Sequence, residues 1–98
     1  MSIVIVGGHD SMAGQYKQIC KRYQCKAKVF TQMPSNFKNK IGTPDFLILF
    51  TSTVSHTMVN SAIQEAVRNN IPIERSHSSS SCALKKILDC RGCSCAGN

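Results

Sequence analysis

The chain has 98 residues, 42% of them hydrophobic and 17% charged, which is the composition of one globular domain and not of a disordered chain. No apolar run approaches the roughly 18 residues of a membrane span. The net charge is +7, and in residues 1–44 seven basic residues stand against Asp10 alone, which would attract an anionic ligand; with 6% aromatic residues and no Trp, however, nucleic-acid binding has little support.

The chain begins with an apolar run, Ile3-Val4-Ile5-Val6, that stops at Gly7-Gly8. Apolar residues without alternation predict a strand buried on both faces, which is typical of parallel sheets covered by helices. Because glycine has no Cβ, the backbone after this strand can approach a ligand closely. No basic segment and apolar stretch of a secretory signal precede the strand, so we expect a cytoplasmic protein whose cysteines are mostly thiols.

Periodicity then predicts a helix and a strand. Apolar residues at helical spacing indicate a helix over residues 11–23, and Asp10 or Ser11 is expected to cap its first amides. Residues 26–30 alternate polar and apolar, which predicts a half-exposed strand at the edge of the sheet.

The middle of the chain predicts a short helix, a central strand and a longer helix. Met33-Pro34 is expected to open the short helix, and Gly42 to end it. Residues 45–50 are the most apolar run and therefore the best candidate for a central strand. Hydroxyls in residues 51–55 can cap the next helix, which ends near Asn69-Asn70.

The last third predicts an edge strand, a loop and a helix. Ile71-Pro72-Ile73 is expected to be the fourth strand, at an edge because proline cannot donate to a ladder. The serine-rich residues 76–81 form a loop before an apolar helical stripe that Arg91-Gly92 ends. We expect residues 1–92 to be a single α/β domain and residues 93–98 to be a flexible cysteine-rich tail.

Right-handed crossovers favour a small doubly wound parallel sheet of four strands in the order 2-1-3-4, with helices on both faces. The chain reverses direction between strands 1 and 3. Ligands of such sheets bind outside the carboxyl ends of the strands at this reversal, so the loops after strands 1, 3 and 4 predict the binding site.

All three histidines, His9, His56 and His77, follow predicted strands and should meet at this edge. Neutral imidazole binds metal ions and haem iron, or acts as acid and base. We expect the three histidines to be metal ligands. Haem is favoured over a bare iron or zinc ion, because Asp10 is the only carboxylate near them.

The expected function is a small binding module for haem or an iron or metal ion, with a redox or sensing role. Met12 and Met58, in the first turns of their helices, would wall the pocket with apolar groups, and the basic excess could meet carboxylates. The predicted cofactor-binding residues are the glycines, hydroxyls, imidazoles, carboxylate and thioethers of these loops: Gly7, Gly8, His9, Asp10, Met12, Ser52, Thr53, Ser55, His56, Met58, Ser76, His77 and Ser78.

The alternative is an anion or nucleotide sensor that uses the same loops as helix N-terminal cradles. Gly7, Gly8 and Gly14 do not have the spacing of a dinucleotide fingerprint, and no Gly-Lys-Ser or Gly-Lys-Thr of a phosphate loop follows. A small hydrolase or transferase is a third possibility. It lacks a nucleophile that can be paired with a histidine from sequence, so whether the protein is an enzyme stays open.

Cys90, Cys93 and Cys95 form a C-x-x-C-x-C run. With Cys82 nearby it would hold a soft metal, whereas alone it indicates a redox-reactive tail; the second Cys lacks the following His of a c-type haem site.

We also expect a homo-oligomer, most simply a dimer, because so short a chain has few elements to cover its sheet edges. Lys26 and Lys28 protect the second strand, whereas Ile71-Pro72-Ile73 carries no lysine, so the fourth strand is the expected interface. Two copies of His77 would then lie near a shared cofactor.

Gly7-Gly8-His9-Asp10, Gln15-Tyr16-Lys17, Thr53-Val54-Ser55-His56 and Ser76-His77-Ser78-Ser79-Ser80 resemble a family of short bacterial proteins, the domain of unknown function number 2325, over most of residues 2–88. The resemblance implies a Rossmann-like α/β domain, found alone or beside other domains, some of them hemerythrin-like iron-binding domains. That association points toward iron or redox biology and assigns no reaction.

Overall fold

A computed structural model of the chain describes residues 2–32 and 37–90. The strands and helices alternate along the chain, which is the pattern of an α/β domain. The strands are β1 (Ser2–Val6), β2 (Lys26–Phe30), β3 (Phe46–Phe50) and β4 (Ile73–Ser76), and the α-helices are α1 (Ala13–Arg22), α2 (Phe37–Ile41), α3 (His56–Arg68) and α4 (Ser81–Cys90). Among the described residues, no helix is long and apolar enough to cross a membrane.

The four strands form one parallel sheet in the order β2-β1-β3-β4, as the sequence predicts. Ile5 of β1 pairs with Val29 of β2 on one side and with Ile48 of β3 on the other. Ile48 in turn pairs with Glu74 of β4. The fold is therefore a small doubly wound, Rossmann-like sheet, in which the strand order reverses between β1 and β3.

The two central strands are buried because helices cover both faces of the sheet. Successive side chains of a strand point to opposite faces. Ile3 and Ile5 accordingly pack in the core beneath α1 and α4, whereas Val4 and Val6 pack beneath α2 and α3. Every residue of β3 is buried, which explains the unbroken apolar run at residues 46–50.

The first helix begins later than predicted. Asp10–Met12 form a single 3-10 turn, and α1 follows from Ala13 without a side-chain cap. The expected cap by Asp10 or Ser11 is therefore wrong. The Asp10 carboxylate instead accepts hydrogen bonds from the Thr31 hydroxyl and the Gln32 amide, which lie just beyond β2.

The fourth strand lies two residues later than predicted, because the end of α3 uses Ile71. Asn70 has a φ of 56°, and the Ile71 N–H donates to the Ala66 carbonyl at 2.7 Å. The side chain of Ile71 is buried under α3. The Pro72 carbonyl accepts a hydrogen bond from the Leu47 N–H at 2.9 Å. Pro72 therefore lies just before the strand, where it accepts a hydrogen bond and does not have to donate one.

This shift changes the chemistry of the β4 edge. The strand carries no lysine, as the sequence indicated, but Glu74 and Arg75, which lie beyond the predicted span 71–73, place charges on this edge.

Several other predictions concern helix ends and loops. α2 stops at Ile41, before Gly42, whose φ is 66°. The loop predicted over residues 76–81 is residues 77–80, because Ser76 ends β4 and Ser81 begins α4. The predicted start of the short helix at Met33-Pro34, the stop at Arg91-Gly92, the domain boundary at residue 92 and the tail at 93–98 lie outside the described residues.

Candidate functional site

The loops after β1, β3 and β4 form the carboxyl edge of the sheet, and glycines determine how closely the first of them packs. Gly7 and Gly8 have φ values of 108° and 85°, which side chains other than glycine rarely adopt. A Cβ on Gly7 would lie 2.7 Å from Val54 Cγ1, and one on Gly8 would lie 2.6 Å from Tyr16 Cε2. The glycines thus permit close packing of the protein on itself, where the sequence suggested close approach to a ligand.

Hydrogen bonds connect the three loops. The Gly8 N–H donates to Thr53 Oγ1 at 2.7 Å, which joins the loop after β1 to the loop after β3. Thr53 Oγ1 in turn donates to the Phe50 carbonyl at 3.2 Å. The Thr51 N–H donates to the Ser76 carbonyl at 2.9 Å and joins the same loop to the end of β4. These bonds hold the three loops in fixed positions relative to one another.

Tyr16 of α1 makes a second connection across this edge. Its side chain is fully buried on α1, and its hydroxyl donates to the Ser79 carbonyl at 2.5 Å in the loop before α4. Its ring lies 5.4 Å from that of Phe50, between centroids. Burial raises the pKa of the Tyr16 hydroxyl, and an interaction with the side chain of Ser79 partly opposes the rise. A tyrosine on a buried stripe needs a partner for its hydroxyl, and this was the available signal.

Asp10 connects a fourth loop to the edge. Its carboxylate accepts from the Thr31 hydroxyl and, at 3.0 Å, from Gln32 Nε2, so the segment after β2 is held against the turn after β1. Because these donors occupy both carboxylate oxygens, Asp10 acts in the structure as a positioning group for the loop that carries His9.

The three histidines lie at the carboxyl edge, where the sequence placed them. His9 precedes the 3-10 turn, His56 is the first residue of α3, and His77 follows β4; all three are exposed. Among residues 2–32 and 37–90, no group of three or more His, Cys, Asp or Glu residues is arranged to hold a metal ion. The fold therefore brings the imidazoles to one edge without assembling a chelate from them.

The serine hydroxyls of the site mostly bond within their own loops. Ser55 Oγ caps α3 by accepting from the Met58 N–H at 3.3 Å, as predicted. Ser76 Oγ donates to the Ser78 carbonyl at 2.7 Å, and Ser78 Oγ donates to Ser80 Oγ at 3.1 Å. Ser80 Oγ accepts from the N–H of Ala83 and so caps α4. Ser52 is exposed in its loop.

The two methionines of the predicted pocket are separated by the sheet. Met12 is half-buried against the core under α1 and α4, whereas Met58 is 2% exposed in the core under α2 and α3. They cannot form one wall of a pocket together, because they lie on opposite faces.

Comparisons with known proteins agree with this fold and assign no chemistry. A family model described as "Uncharacterized protein conserved in bacteria (DUF2325)" matches residues 2–91. No curated protein gives a significant match. Among solved structures, a de novo designed Rossmann fold protein matches with a TM-score of 0.62 and 13% identity, over 91% of this chain and 95% of that chain. At this identity the likeness concerns the fold alone.

Proposed function

The chain belongs to this family of uncharacterized proteins conserved in bacteria, and from that premise we propose that it is a small binding module that takes haem at the carboxyl edge of its sheet, in a redox or sensing role. The proposal rests on the exposure of the three imidazoles and on their lack of hydrogen-bond partners among the described residues. His9, His56 and His77 are exposed at one edge, and within the described residues no hydrogen bond occupies any of them. Each is therefore available as an axial ligand.

Haem fits this arrangement better than a bare ion does. A bare zinc or iron ion takes most of its ligands from protein side chains, and the described residues offer no group of three. In haem the porphyrin supplies the equatorial nitrogens, so one or two imidazoles suffice. The expected ligands remain His9, His56 and His77.

The cross-linked loops support a preformed site. Thr53, Tyr16 and Asp10 hold the loops of His56, His77 and His9 respectively to their neighbours. Rigid support of this kind lowers the entropic cost of placing an imidazole on iron.

The exposure of the histidines also favours a shared site. A haem held by them on one copy would keep much of its apolar porphyrin in water, and a second copy could cover the other side. We therefore retain the homo-oligomer as part of the proposal. The fourth strand is a weaker choice of interface than the sequence suggested, since Glu74 and Arg75 lie on it.

A haemin titration followed by absorbance tests the proposal. Wild type should give a saturable shift of the Soret band, and replacement of His9, His56 and His77 together by alanine should abolish it. Single substitutions identify the axial ligand, and free imidazole should restore the lost spectrum in that variant. A Thr57→Ala variant, which changes an exposed residue beside His56 without removing an imidazole, is the control. A triple variant with the wild-type spectrum would refute histidine ligation.

The anion or nucleotide sensor is less well supported. The Gly8 N–H, which a phosphate would need, already donates to Thr53, and the Ser55, Ser76 and Ser78 hydroxyls bond within their loops. Thermal-shift measurements with phosphate and nucleotides separate the two proposals. Stabilisation that persists in the triple histidine variant would favour the sensor.

A further inference from the structure

Among residues 2–32 and 37–90, no strand pairs with the outer edge of β2. β2 is the first strand in the sheet order and pairs with β1 on one side alone. The Gly7 N–H donates to the Phe30 carbonyl at 2.9 Å, and in a parallel ladder alternate residues face the same neighbour. The backbone groups of Ala27 and Val29 therefore face away from β1. Among the described residues, neither makes a backbone hydrogen bond outside the sheet.

Two adjoining cavities are lined by residues of β2, and the first of them also by Ser2, Ile3 and Val4 of β1. One, of about 460 Å³, lies at the start of the strand between Ser2, Ile41 and Pro44. The other, of about 350 Å³, runs on to Phe30. Because both are lined by Ala27 and Lys28, they form one groove along the strand, which we call the β2 groove.

The β2 groove is basic along its length. Lys17 of α1 and Lys40 of α2 line it from opposite sides, and Lys26 and Lys28 come from the strand. No carboxylate is among its described lining residues. Lys28 Nζ donates to the Lys40 carbonyl at 3.3 Å, while Lys17, Lys26 and Lys40 make no ion pair within the described part of the chain. Such a surface is complementary to carboxylates.

Protection against edge pairing does not account for all four lysines of the β2 groove. Lysines on an edge strand discourage aggregation, and Lys26 and Lys28 would serve that purpose alone. Lys17 and Lys40 come from flanking helices and face cavities that protection does not require. The opposite edge of the sheet, β4, is four residues long. It carries one acidic and one basic residue, Glu74 and Arg75, so it is not basic as the β2 groove is.

We propose that the β2 groove binds an extended acidic peptide segment of a partner protein, which adds to the sheet as a further strand beside β2. Main-chain hydrogen bonds to Ala27 and Val29 would provide affinity, and the lysines would select acidic side chains. This site is separate from the histidine edge and does not depend on haem binding.

The probe is a short peptide of repeating Glu-Glu-Val-Val, which presents glutamates on both faces of the sheet, titrated into isotopically labelled protein by NMR. Saturable shifts of the Ala27 and Val29 amides are expected. Lys17→Glu with Lys40→Glu should weaken binding about tenfold, because two exposed ion pairs become repulsive. The control is Lys85→Glu with Lys86→Glu, two exposed residues of α4, which makes the same change in net charge and should alter affinity by less than about twofold.

Backbone pairing is tested with N-methylated peptides. Methylation of alternate amides removes the donors of one peptide edge, so one of the two alternate patterns should abolish binding while the other leaves it unchanged. Equal binding of both methylated peptides, equal weakening by the two double variants, or failure of the unmodified peptide to bind would each overturn the proposal. Displacement of the peptide by an oligonucleotide of equal charge that shifts the same amides would show a nucleic-acid site instead.

Discussion

Substitution of Gly8 by alanine tests whether Tyr16 is the group that holds the carboxyl edge together. An alanine Cβ at this position would lie 2.6 Å from Tyr16 Cε2 and 2.7 Å from its hydroxyl oxygen. Both distances are too short, so the ring must move. The Tyr16 hydroxyl would then lose the Ser79 carbonyl, and the loop before α4 would lose its connection to α1.

The expected decrease in the free energy of unfolding has three parts. A non-glycine residue at a φ of 85° costs about 1–2 kcal/mol. Loss of one hydrogen bond costs about 1 kcal/mol. Repacking of an overfilled core costs about 1–3 kcal/mol. The total of about 3–6 kcal/mol is a large share of the stability of a small domain, about 5–15 kcal/mol.

Urea denaturation followed by circular dichroism measures this cost, with Gly14→Ala as the matched control. A Cβ on Gly14, inside α1, meets no atom within 4 Å, so this variant should be more stable than wild type by about 0.5–1 kcal/mol.

A double-mutant cycle with Tyr16→Phe sharpens the test. Removing the hydroxyl first should make Gly8→Ala less costly by about 1 kcal/mol, because the hydrogen bond is then lost once. Additive costs, or a Gly8→Ala variant as stable as wild type, would refute the role given to Tyr16.

Three further predictions concern the same edge. Ser55→Ala should lower the free energy of unfolding by about 1 kcal/mol through loss of the α3 cap, whereas Ser55→Asp should retain the cap; thermal unfolding distinguishes them. Thr53→Val should cost about 1–3 kcal/mol in urea denaturation, because the buried Gly8 N–H loses its acceptor, and Thr53→Ser should cost less. The pKa of Tyr16 is raised in the folded protein. The contribution of its protonated hydroxyl to folding stability is therefore complete below the unfolded pKa of about 10 and is lost as pH rises through the folded pKa. Stability measured above pH 10 should accordingly fall more steeply in wild type than in Tyr16→Phe.

The elements with strong apolar patterns could be predicted from sequence. Ile3–Val6 of β1 and all of β3 are buried on both faces, so these residues are apolar without interruption, and α3 has both a clear stripe and a serine cap. The strand order followed from right-handed crossovers together with the edge and central positions that the sequence patterns indicated. β4 could not be placed correctly, because an edge strand needs no apolar pattern and Ile71 serves the end of α3.

The site was predictable in position and less so in detail. Placement of the histidines at one edge followed from the topology of a parallel sheet. The partners of Asp10, and the bond from Tyr16 to Ser79, join residues that are far apart in the chain. Such pairs leave no periodic signal in one sequence, since their spacing depends on the loops between them.

The central position of β1 has a consequence for synthesis of the protein. This strand is translated before both of its neighbours in the sheet, since Ile3 pairs with Ala27 and also with Phe46. A nascent chain that has emerged only as far as β2 can form a β1-α1-β2 unit whose other edge is a row of isoleucines and valines without a neighbour. Such an edge invites pairing with other nascent chains. We therefore expect the partly synthesised chain to be most prone to aggregation between the emergence of β2 and that of β3.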